Sequence, residues 1–344
     1  MAPQVSPDTS SPVLSDFQSL TGPLLPHLER LNLYLEAQVD DFEPEIREMV
    51  AYALGVSGKR IRSILLFYSG WTDTPQIPES LIKAAAVIEL VHLATLVHDD
   101  ILDEAEIRHQ RLTISQKYGS SAAVLFGDAL FGHALKLAAE FPTVEVCRTV
   151  SLATRRVCAG EIKQNFLRGN ANLSLEEYFR IIELKTAELF WSSCRLGAFL
   201  SGADDEHLAA VETFGRHLGV AYQIYDDVAD LMGDESAIGK TLGTDLQNGK
   251  FTLPLLLLFR EAGIRDTRGF VKGLAEDPKL AEPELFSLFQ KFAILPKTIR
   301  YFDEQLEVGS SVLNQLPGTP AIEKLLAINS FIRQQMDRLP AIPG

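Results

Sequence analysis

Apolar residues recur through most of the chain at spacings of three and four, which places them along one side of a helix. The pattern predicts helices over residues 24–39, 43–54, 60–70, 78–101, 121–140, 144–168, 175–201, 205–233 and 252–262, with shorter helices between residues 272 and 339. Glycine or proline marks most of the breaks, and no convincing alternation of apolar and polar residues predicts a strand. Several helices are apolar nearly all round, which is typical of the interior of a helical bundle.

The chain has 344 residues, which is enough to bury a large core. No segment recurs with a period of roughly 20–50 residues, so a solenoid is excluded. We predict a single all-α domain over residues 21–344. Residues 1–20 are rich in proline and serine, which predicts a flexible lead. They lack the basic and apolar regions of a signal peptide.

The composition narrows the class of function. The formal charge of −14 argues against binding nucleic acid through a basic surface, although local basic residues can still bind phosphate. Cys147, Cys158 and Cys194 are scattered and form no CxxC pair, which indicates reduced thiols in a cytoplasmic protein. No apolar run reaches the roughly 18 residues of a membrane-spanning helix, so no such helix is predicted.

Six aspartates form two groups at the same DDxxD spacing, which we call the first and second aspartate clusters: Asp99, Asp100 and Asp103, then Asp226, Asp227 and Asp230. Each cluster follows an apolar helical run, and its first and last members share a helix face. Like charges beside an apolar surface repel each other and resist losing water, so a cation should neutralise them. Mg²⁺ binds a few carboxylates together with substrate phosphates and suits such a pocket. One cluster alone is equally consistent with a solvated helix end, whereas two favour one pocket with acidic walls.

Several basic residues are candidates for binding an anion. Lys59 and Arg62 open an apolar helix and share its face, where positive charge opposes the helix dipole unless an anion is near. The alternative there is a solvated basic turn. Arg108 and Arg111 follow the first aspartate cluster, where they either hold phosphate or offset the acids. Lys185 continues an apolar stripe, which favours a partner anion over a side chain that extends to solvent.

Other motifs are weaker or absent. His92 lies two turns before Asp99 on the same helix face, which favours a place in the same cavity over an ordinary core position. Gly239-Lys240-Thr241 resembles part of a P-loop, but no strand precedes it and the upstream glycine is out of register, so this motif is rejected. No HExxH motif and no nucleophile-elbow or dinucleotide-binding glycine motif occurs.

Taken in order, these motifs resemble the trans-isoprenyl diphosphate synthases, also called the polyprenyl synthetase family. The resemblance rests on GKRIR at 58–62, HDDILDEAEIR at 98–108, GD at 127–128, GEIKQ at 160–164, KTA at 185–187, YQIYDDVAD at 222–230 and GKTLGTDLQNGK at 239–250. It implies an all-α isoprenoid-synthase-type bundle around a deep central cavity, usually in a homodimer. Such an enzyme joins isopentenyl diphosphate to an allylic diphosphate and lengthens a lipophilic prenyl chain by one isoprene unit per cycle.

The resemblance also implies roles for particular residues. The family's Mg²⁺ ligands, which hold several ions per active site, match Asp99, Asp103 and Asp226, with support from Asp100, Asp227 and Asp230. The lysines that bind the allylic diphosphate match Lys185 and Lys240, and the arginine beside them matches Arg108. The isopentenyl diphosphate site matches Lys59, Arg62 and His92. Residues that line the reaction centre or its loop match Thr186, Gln223 and Lys250.

One departure concerns the arginine pair that usually follows the first aspartate motif. His109 stands where the second arginine of the family binds isopentenyl diphosphate. A histidine is charged only part of the time near neutral pH and lacks the bidentate fork of arginine. We therefore expect weaker binding of isopentenyl diphosphate or partial loss of its site, with Arg111 as a candidate to compensate.

Product length is expected to depend on Ala94 and Thr95, which lie one helical turn before Asp99 and deeper in the expected cavity. In the family, bulky aromatic residues at these positions stop elongation early, so the small side chains here favour a medium- or long-chain product. The alternative is that a bulky residue of a neighbouring helix, such as Phe126 or Phe131, closes the cavity.

The sequence is compatible with three functions, of which a medium- or long-chain polyprenyl diphosphate synthase is favoured. A terpene cyclase or another prenyl-transferring enzyme on the same fold is motivated by His109, but it has no use for an isopentenyl diphosphate site at Lys59, Arg62 and His92. A non-catalytic partner subunit of a synthase conflicts with two intact aspartate clusters.

Overall fold

The computed structural model describes residues 12–55, 58–70, 77–170, 172–232, 248–264, 270 and 278–340. In these residues the chain is almost entirely helical, which confirms the predicted all-α fold. The helices are α1 (Pro12–Thr21), α2 (Leu25–Ala37), α3 (Arg47–Leu54), α4 (Ile61–Ser69), α5 (Glu79–Leu102), α6 (Ile114–Tyr118), α7 (Ser120–Ala139), α8 (Val144–Phe166), α9 (Leu175–Ile182), α10 (Glu188–Leu200), α11 (Asp205–Met232), α12 (Leu253–Ala262), α13 (Pro278–Lys291), α14 (Ile294–Leu313) and α15 (Pro320–Asp337). Short 3₁₀ segments flank α2 at Gly22–Leu24 and Gln38–Asp41, and a π-helical segment, Glu183–Ala187, joins α9 to α10.

The long helix α5 lies inside the bundle. Its residues from Leu81 to Val91 are buried except for Lys83, and α4, α7 and α10 pack around it. This arrangement suits a helix that is apolar on nearly every side. The partner helix α7 runs antiparallel to α5, because Lys83 Nζ lies 2.5 Å from Glu140 Oε2 near one end and His98 Nε2 lies 3.1 Å from the Val124 carbonyl near the other.

The helix α11 carries the second aspartate cluster and packs against α10 and α14. Its buried residues recur at helical spacing from Val211 through Phe214, Leu218 and Ile224. The same buried stripe continues to Asp227 and Asp230, which are 2% and 1% exposed. The acidic residues of α11 therefore lie inside the protein, where carboxylates need partners.

A small hairpin between α5 and α6 was not predicted. Strands β1 (Ile107–Arg108) and β2 (Arg111–Leu112) pair antiparallel. The two turn residues, His109 and Gln110, have φ angles of 50° and 59°, as the tight turn of a two-residue hairpin requires. Strands this short contain no apolar–polar alternation to detect, and the turn lacks the usual Asn-Gly signal.

Most helix ends agree with the sequence prediction to within two residues. The exception is the helix predicted from residue 43, which begins at Arg47. The capping box of Ser174 and Glu177 is confirmed.

The prediction of a flexible lead over residues 1–20 is wrong for residues 12–20, because Pro12–Thr21 forms α1. The Phe17 ring of this helix packs 5.4 Å from that of Phe331 on α15.

Among the helices that the structure describes, α5 and α7 are long and apolar enough to cross a membrane by length and composition alone. The expectation that no apolar segment reaches this length is therefore wrong for these two helices. They pack against each other, and 67% of the most apolar stretch of α5 is buried inside the protein. The apolar character of α5 matches its place in the bundle core, whereas only 44% of the corresponding stretch of α7 is buried.

Candidate active site

The first aspartate cluster lies where α5 ends. The helix closes with a hydrogen bond from Asp103 N to Asp99 O of 2.8 Å, so these two residues are one turn apart. A helix C-terminus carries partial negative charge and disfavours carboxylates. Cations from other parts of the chain therefore have to stabilise this end of α5.

Lys185 supplies one such cation. Its Nζ lies 3.5 Å from Asp99 Oδ2, pairs with Glu161 and donates to Gln164 Oε1 at 3.0 Å. Burial alone would lower the pKa of Lys185, but the Asp99 and Glu161 carboxylates raise it above its ordinary value, so the amine stays charged. Burial raises the pKa of Asp99 to about 6 against the pull of Lys185. Lys185 sits in the π-helical segment, a feature that is frequent at functional sites.

Asp103 is held by two cations. Lys250 Nζ lies 2.6 Å from Oδ2, and Arg168 Nη2 lies 2.6 Å from Oδ1. Burial would raise the pKa of Asp103, but Lys250, Lys185 and Arg168 lower it below its ordinary value. Lys250 comes from the segment after the second aspartate cluster, so this ion pair joins residues 147 positions apart.

Arg108, at the start of the hairpin, binds the remaining member of the first cluster. Its Nε and Nη2 atoms both lie 2.8 Å from Asp100 Oδ1. Burial raises the pKa of Asp100 despite this pair, because only 5% of Asp100 is exposed. Every aspartate of the first cluster therefore has a basic partner.

The second aspartate cluster is tied to the π-helical segment by a chain of hydrogen bonds. Thr186 Oγ1 donates to Gln223 Oε1 at 2.6 Å, and Gln223 Nε2 donates to Asp227 Oδ1 at 2.8 Å. Tyr178 of α9 donates to Asp227 Oδ2 at 2.5 Å. Both oxygens of Asp227 are thus held in place, which leaves the less buried Asp226 as the more accessible carboxylate of this cluster.

Asp227 of the second cluster and several partners of both clusters border one cavity of about 80 Å³, which we call the ion-pair cavity. Its polar lining includes Gln164, Arg168, Lys185, Gln223, Asp227 and Lys250, and its apolar lining includes Ile181, Ile182 and Phe251. Ligand-filled pockets are usually larger, roughly 300–1,000 Å³. Lys185 and Lys250, which line the cavity, are paired with Glu161 and Asp103, so an anion that binds these lysines would have to compete with the two carboxylates.

A second group of predicted residues meets between α4 and α5. Arg62 Nη1 lies 3.1 Å from His92 Nε2, and its guanidinium lies 5.1 Å from the Phe190 ring centroid. Burial and the charge of Arg62 hold the pKa of His92 well below its ordinary value. His92 is therefore neutral and accepts a hydrogen bond from Arg62.

Lys59 does not share a helix face with Arg62, as the sequence spacing predicted. The helix α4 begins only at Ile61, and Arg60 before it adopts a left-handed conformation with φ 52°. Lys59 is exposed in the preceding loop. The spacing argument failed because it assumed a helical backbone through Arg60.

Arg60 is held in this conformation by Glu89, which the sequence reading missed. Glu89 accepts from Arg60 Nη1 at 2.7 Å and from Ser63 Oγ at 2.5 Å, and it is only 7% exposed. Left-handed backbone costs a non-glycine residue on the order of 1–2 kcal/mol, so a compensating contact is needed. Glu89 thus fixes the loop that presents Lys59 and Arg62.

Arg111 of the hairpin, the candidate to compensate for His109, contacts Tyr52. The Arg111 guanidinium lies 4.0 Å from the Tyr52 ring centroid and donates to the Tyr52 carbonyl at 3.4 Å. It thus packs against α3, whereas Arg108 binds Asp100. His109 is exposed at the tip of the hairpin.

The residues predicted to control product length differ in their surroundings. Ala94 is fully buried. Thr95 is partly exposed, and its hydroxyl donates to the His92 carbonyl at 2.6 Å. Phe126 is buried, whereas Phe131 is partly exposed and its ring lies 5.7 Å from that of His98. Lys240 lies outside the described residues.

Four further residues of the site carry no role in the sequence reading: Glu161, Gln164, Arg168 and Tyr178. Glu161 and Gln164 fall in the GEIKQ motif and lie three residues apart on α8. Two polar residues at that spacing share one helix face, and this pattern is a signal that could have identified them. Arg168 and Tyr178 gave no comparable signal, because their partners Asp103 and Asp227 are distant in sequence.

The carboxylates suit a hard divalent ion. Among the described residues, no three His, Cys, Asp or Glu side chains are grouped closely enough to hold a metal by themselves. Mg²⁺ takes only one or two carboxylates when substrate phosphates supply further oxygen ligands. Asp99 and Asp103, one turn apart at a helix end and balanced by lysines, fit that donor set.

Comparisons with known proteins identify the family to which the chain is similar. Residues 43–279 match the polyprenyl synthetase family model. The chain is 33% identical over 299 residues to heptaprenyl diphosphate synthase component 2 of Bacillus subtilis (strain 168), a match that covers 87% of this chain and 85% of that protein. It is 30% identical over 300 residues to octaprenyl diphosphate synthase of Escherichia coli (strain K12), covering 85% of this chain and 90% of the relative.

The fold is shared with solved structures. The crystal structure of a decaprenyl diphosphate synthase from Rhodobacter capsulatus superposes with a TM-score of 0.83 at 26% identity, covering 94% of this chain and all of the other. The names of the three relatives specify prenyl chains of different lengths. Overall similarity therefore does not determine product length, which depends on the residues that line each cavity.

Proposed function

The chain belongs to the polyprenyl synthetase family, whose named members here are transferases that make polyprenyl diphosphates, and we propose its reaction in finer detail. The enzyme condenses isopentenyl diphosphate with an allylic diphosphate, in a Mg²⁺-dependent reaction, to form a medium- or long-chain all-trans polyprenyl diphosphate. One observation carries this proposal: Lys185 and Lys250, which pair with Asp99 and Asp103 of the first aspartate cluster, border the same cavity as Asp227 of the second. Carboxylates for metal thus lie next to cations for diphosphate.

Asp99, Asp103 and Asp226 would hold Mg²⁺, with Asp100, Asp227 and Asp230 supporting them. When bound, the metal supplies positive charge that stabilises a departing diphosphate. The hydrogen bonds from Tyr178 and Gln223 to Asp227 support this division of roles, because a carboxylate with both oxygens engaged is a better positioning group than a ligand.

Lys185 and Lys250 bind the allylic diphosphate, and Arg108 stands beside them on Asp100. Because Lys185 is largely buried and stays charged, it is pre-organised to stabilise negative charge as the allylic C–O bond breaks. The apolar wall of Ile181, Ile182 and Phe251 limits access of water to the resulting carbocation.

Arg62, His92 and Lys59 bind the diphosphate of isopentenyl diphosphate. Neutral His92 accepts from Arg62 and orients its guanidinium, and the Phe190 ring packs against that group. The double bond of isopentenyl diphosphate then attacks the allylic carbocation, and the proton that is lost goes to the departed diphosphate. No serine or cysteine nucleophile is needed.

The direct test is an incubation with Mg²⁺, labelled isopentenyl diphosphate and geranyl, farnesyl or geranylgeranyl diphosphate, with products separated by chain length. A ladder that ends at a defined length is expected. Allylic substrate consumed without isopentenyl incorporation would instead indicate a cyclase, and an absence of turnover would indicate a subunit that needs a partner.

Asp226→Asn should lower turnover by about 100-fold or more, whereas Asp205→Asn at the other end of the same helix should not.

Product length is proposed to depend on Thr95. This residue is partly exposed and one turn from Asp99, so a larger side chain can enter the space there. Ala94 is fully buried, and enlarging it would overpack the core. We expect Thr95→Phe to shorten the product and Thr95→Val, which keeps the size, to leave it unchanged. An identical product ladder for all three proteins would rule out control by this position.

A homodimer is proposed from the apolar surface of α7 and α8, which pack against each other. Leu125 is 70% exposed on α7, and Ile162 and Phe166 are 54% and 83% exposed on α8. Large apolar side chains at this density favour burial against a second copy. Light scattering should give twice the chain mass, and Leu125→Lys with Phe166→Lys should give the monomer. A monomeric wild type would contradict this assembly.

A further inference from the structure

Arg168 lies just beyond the end of α8, and no sequence motif identified it. Its side chain borders the ion-pair cavity together with Lys185 and Lys250. On the basis of the proposed function, we propose that Arg168 is a further diphosphate-binding residue, which binds the allylic diphosphate alongside those two lysines.

The first support is the way in which Arg168 shares a carboxylate with Lys250. Arg168 Nη2 lies 2.6 Å from one oxygen of Asp103, and Lys250 Nζ lies 2.6 Å from the other. The side chains of Arg168 and Lys250 are 22% and 6% exposed. Two cations therefore bind one carboxylate and border the same small cavity, where an anion with several oxygens would have a donor from each of them.

A backbone contact fixes the two cations relative to each other. Gly169 N donates to Gly249 O at 2.8 Å, so the residues directly beside Arg168 and Lys250 are hydrogen-bonded. Both glycines have positive φ, 69° and 66°, and a Cβ on Gly249 would lie only 3.2 Å from Gly169 N. Such close approach with left-handed backbone requires glycine. The end of α8 and the segment after the second cluster thus act as one unit.

The charge balance explains why Arg168 is bound to an acid here. Three cations and three carboxylates form two neighbouring groups: Lys185 pairs with Asp99 and Glu161, and Lys250 and Arg168 pair with Asp103. A divalent cation on Asp99 and Asp103 would reduce the negative charge available to the three bases. A buried cation without a counter-ion is costly, so an anionic diphosphate is the natural replacement partner.

The guanidinium is also suited to a second partner. Its Nη1 donates to the Leu102 carbonyl at 3.0 Å and its Nη2 to Asp103. Its Nε is buried and has no hydrogen-bond partner among the described residues. Arginine presents five donors in a rigid fork, so Arg168 can keep its bond to Leu102 while Nε and Nη2 bind phosphate oxygens.

A purely structural role makes a different prediction. The bond to Leu102 satisfies a carbonyl at the C-terminus of α5, as helix caps do. If Arg168 served only as that cap, its loss would lower thermal stability without changing affinity for diphosphate. Arg47 provides the matched control, since it also donates to backbone carbonyls, those of Phe42 and Asp40, but lies outside the cavity.

The test is calorimetric titration of the full chain with inorganic diphosphate in the presence of Mg²⁺, which needs no turnover. We expect Arg168→Gln to weaken binding by about tenfold or more, the scale of a lost charge-assisted hydrogen bond. Arg168→Lys should restore part of the affinity, and Arg47→Gln should bind like wild type.

Steady-state kinetics provide a second readout. Arg168→Gln should raise KM for the allylic diphosphate but not for isopentenyl diphosphate, because neither Arg62 nor His92 borders this cavity.

Equal dissociation constants for wild type and Arg168→Gln, with a lower melting temperature for the variant, would overturn the proposal and leave Arg168 as a helix cap. Failure of the wild type to bind diphosphate would overturn it as well. If diphosphate binding depends on Arg168 but the protein forms no prenyl chain, the binding role of Arg168 is supported and the proposed function is contradicted. The two inferences can therefore fail separately.

Discussion

The hairpin after the first aspartate cluster turns on His109, whose backbone is left-handed with φ 50°. Burial and the nearby Arg108 charge lower the pKa of His109 below its ordinary value, although Asp100 opposes this. The side chain is therefore mostly neutral at pH 7. With Arg111 packed on Tyr52, no second arginine of the hairpin replaces the one that the family resemblance leads us to expect.

We predict that His109→Arg lowers KM for isopentenyl diphosphate by about tenfold, since a charged bidentate group gains about 1.5 kcal/mol or more over a neutral one. Steady-state kinetics at pH 7 measure this. The adjacent turn residue provides the control: Gln110→Arg adds the same charge on the same left-handed backbone, with φ 59°, and should leave KM unchanged. Equal KM values for wild type and His109→Arg would show that this position does not contact the substrate.

The site residues that could be predicted from the sequence are those whose residue type and short-range spacing indicate a binding role. The members of the first aspartate cluster belong to this class, because one helical turn separates Asp99 from Asp103. Partners that are distant in sequence did not emerge, such as Arg60 with Glu89 or Arg168 with Asp103. Such pairs depend on how helices pack, and no local pattern records that.

At the level of helices, the contact between α4 and α10 depends on Gly197. A Cβ at this position would overlap the backbone carbonyl of Leu66 and lie 3.1 Å from Gly70 N. Because backbone atoms cannot rotate aside, we predict that Gly197→Ala lowers the free energy of unfolding by about 1–3 kcal/mol. Chemical denaturation followed by circular dichroism measures this.

Gly132 on α7 is the matched control. An added Cβ there meets nothing within 4 Å, and alanine is the better helix former by about 0.5–1 kcal/mol. Gly132→Ala should therefore be neutral or stabilising. Equal destabilisation by both substitutions would mean that close approach of α4 and α10 is not the cause.

The helices were more predictable than the segments between them. The long amphipathic and apolar runs locate α5, α7 and α11 because helical periodicity accumulates over many residues. The exceptions are short or irregular: the β1–β2 hairpin, the π-helical segment Glu183–Ala187 and the left-handed residue Arg60 before α4. Each is stabilised by tertiary contacts, which a local pattern does not report.

For the whole molecule, buried histidines link stability to pH. His133 is 7% exposed and its Nε2 lies 3.0 Å from Gln38 Oε1, while the Phe42 ring packs 4.4 Å from its own. Burial first, and then the charge of Lys136, lower the pKa of His133, with Asp41 and Glu140 opposing. Burial likewise lowers the pKa of His27. Both histidines are therefore neutral in the folded protein at pH 7.

The sign of the effect follows from proton uptake. Below the ordinary histidine pKa of about 6.5, the unfolded chain binds protons that the folded protein does not. Stability from His133 is therefore complete above that pH and is lost as the pH falls below it. We predict that titration of His133 lowers the free energy of unfolding from pH 7.5 to pH 5.5, so that His133→Gln, which keeps a donor for Gln38 but does not titrate, loses less stability than the wild type.

Urea denaturation at the two pH values measures the difference. If His133→Gln loses as much stability on acidification as the wild type, other groups dominate, and the carboxylates paired with Lys and Arg become the next candidates, since protonation breaks those pairs.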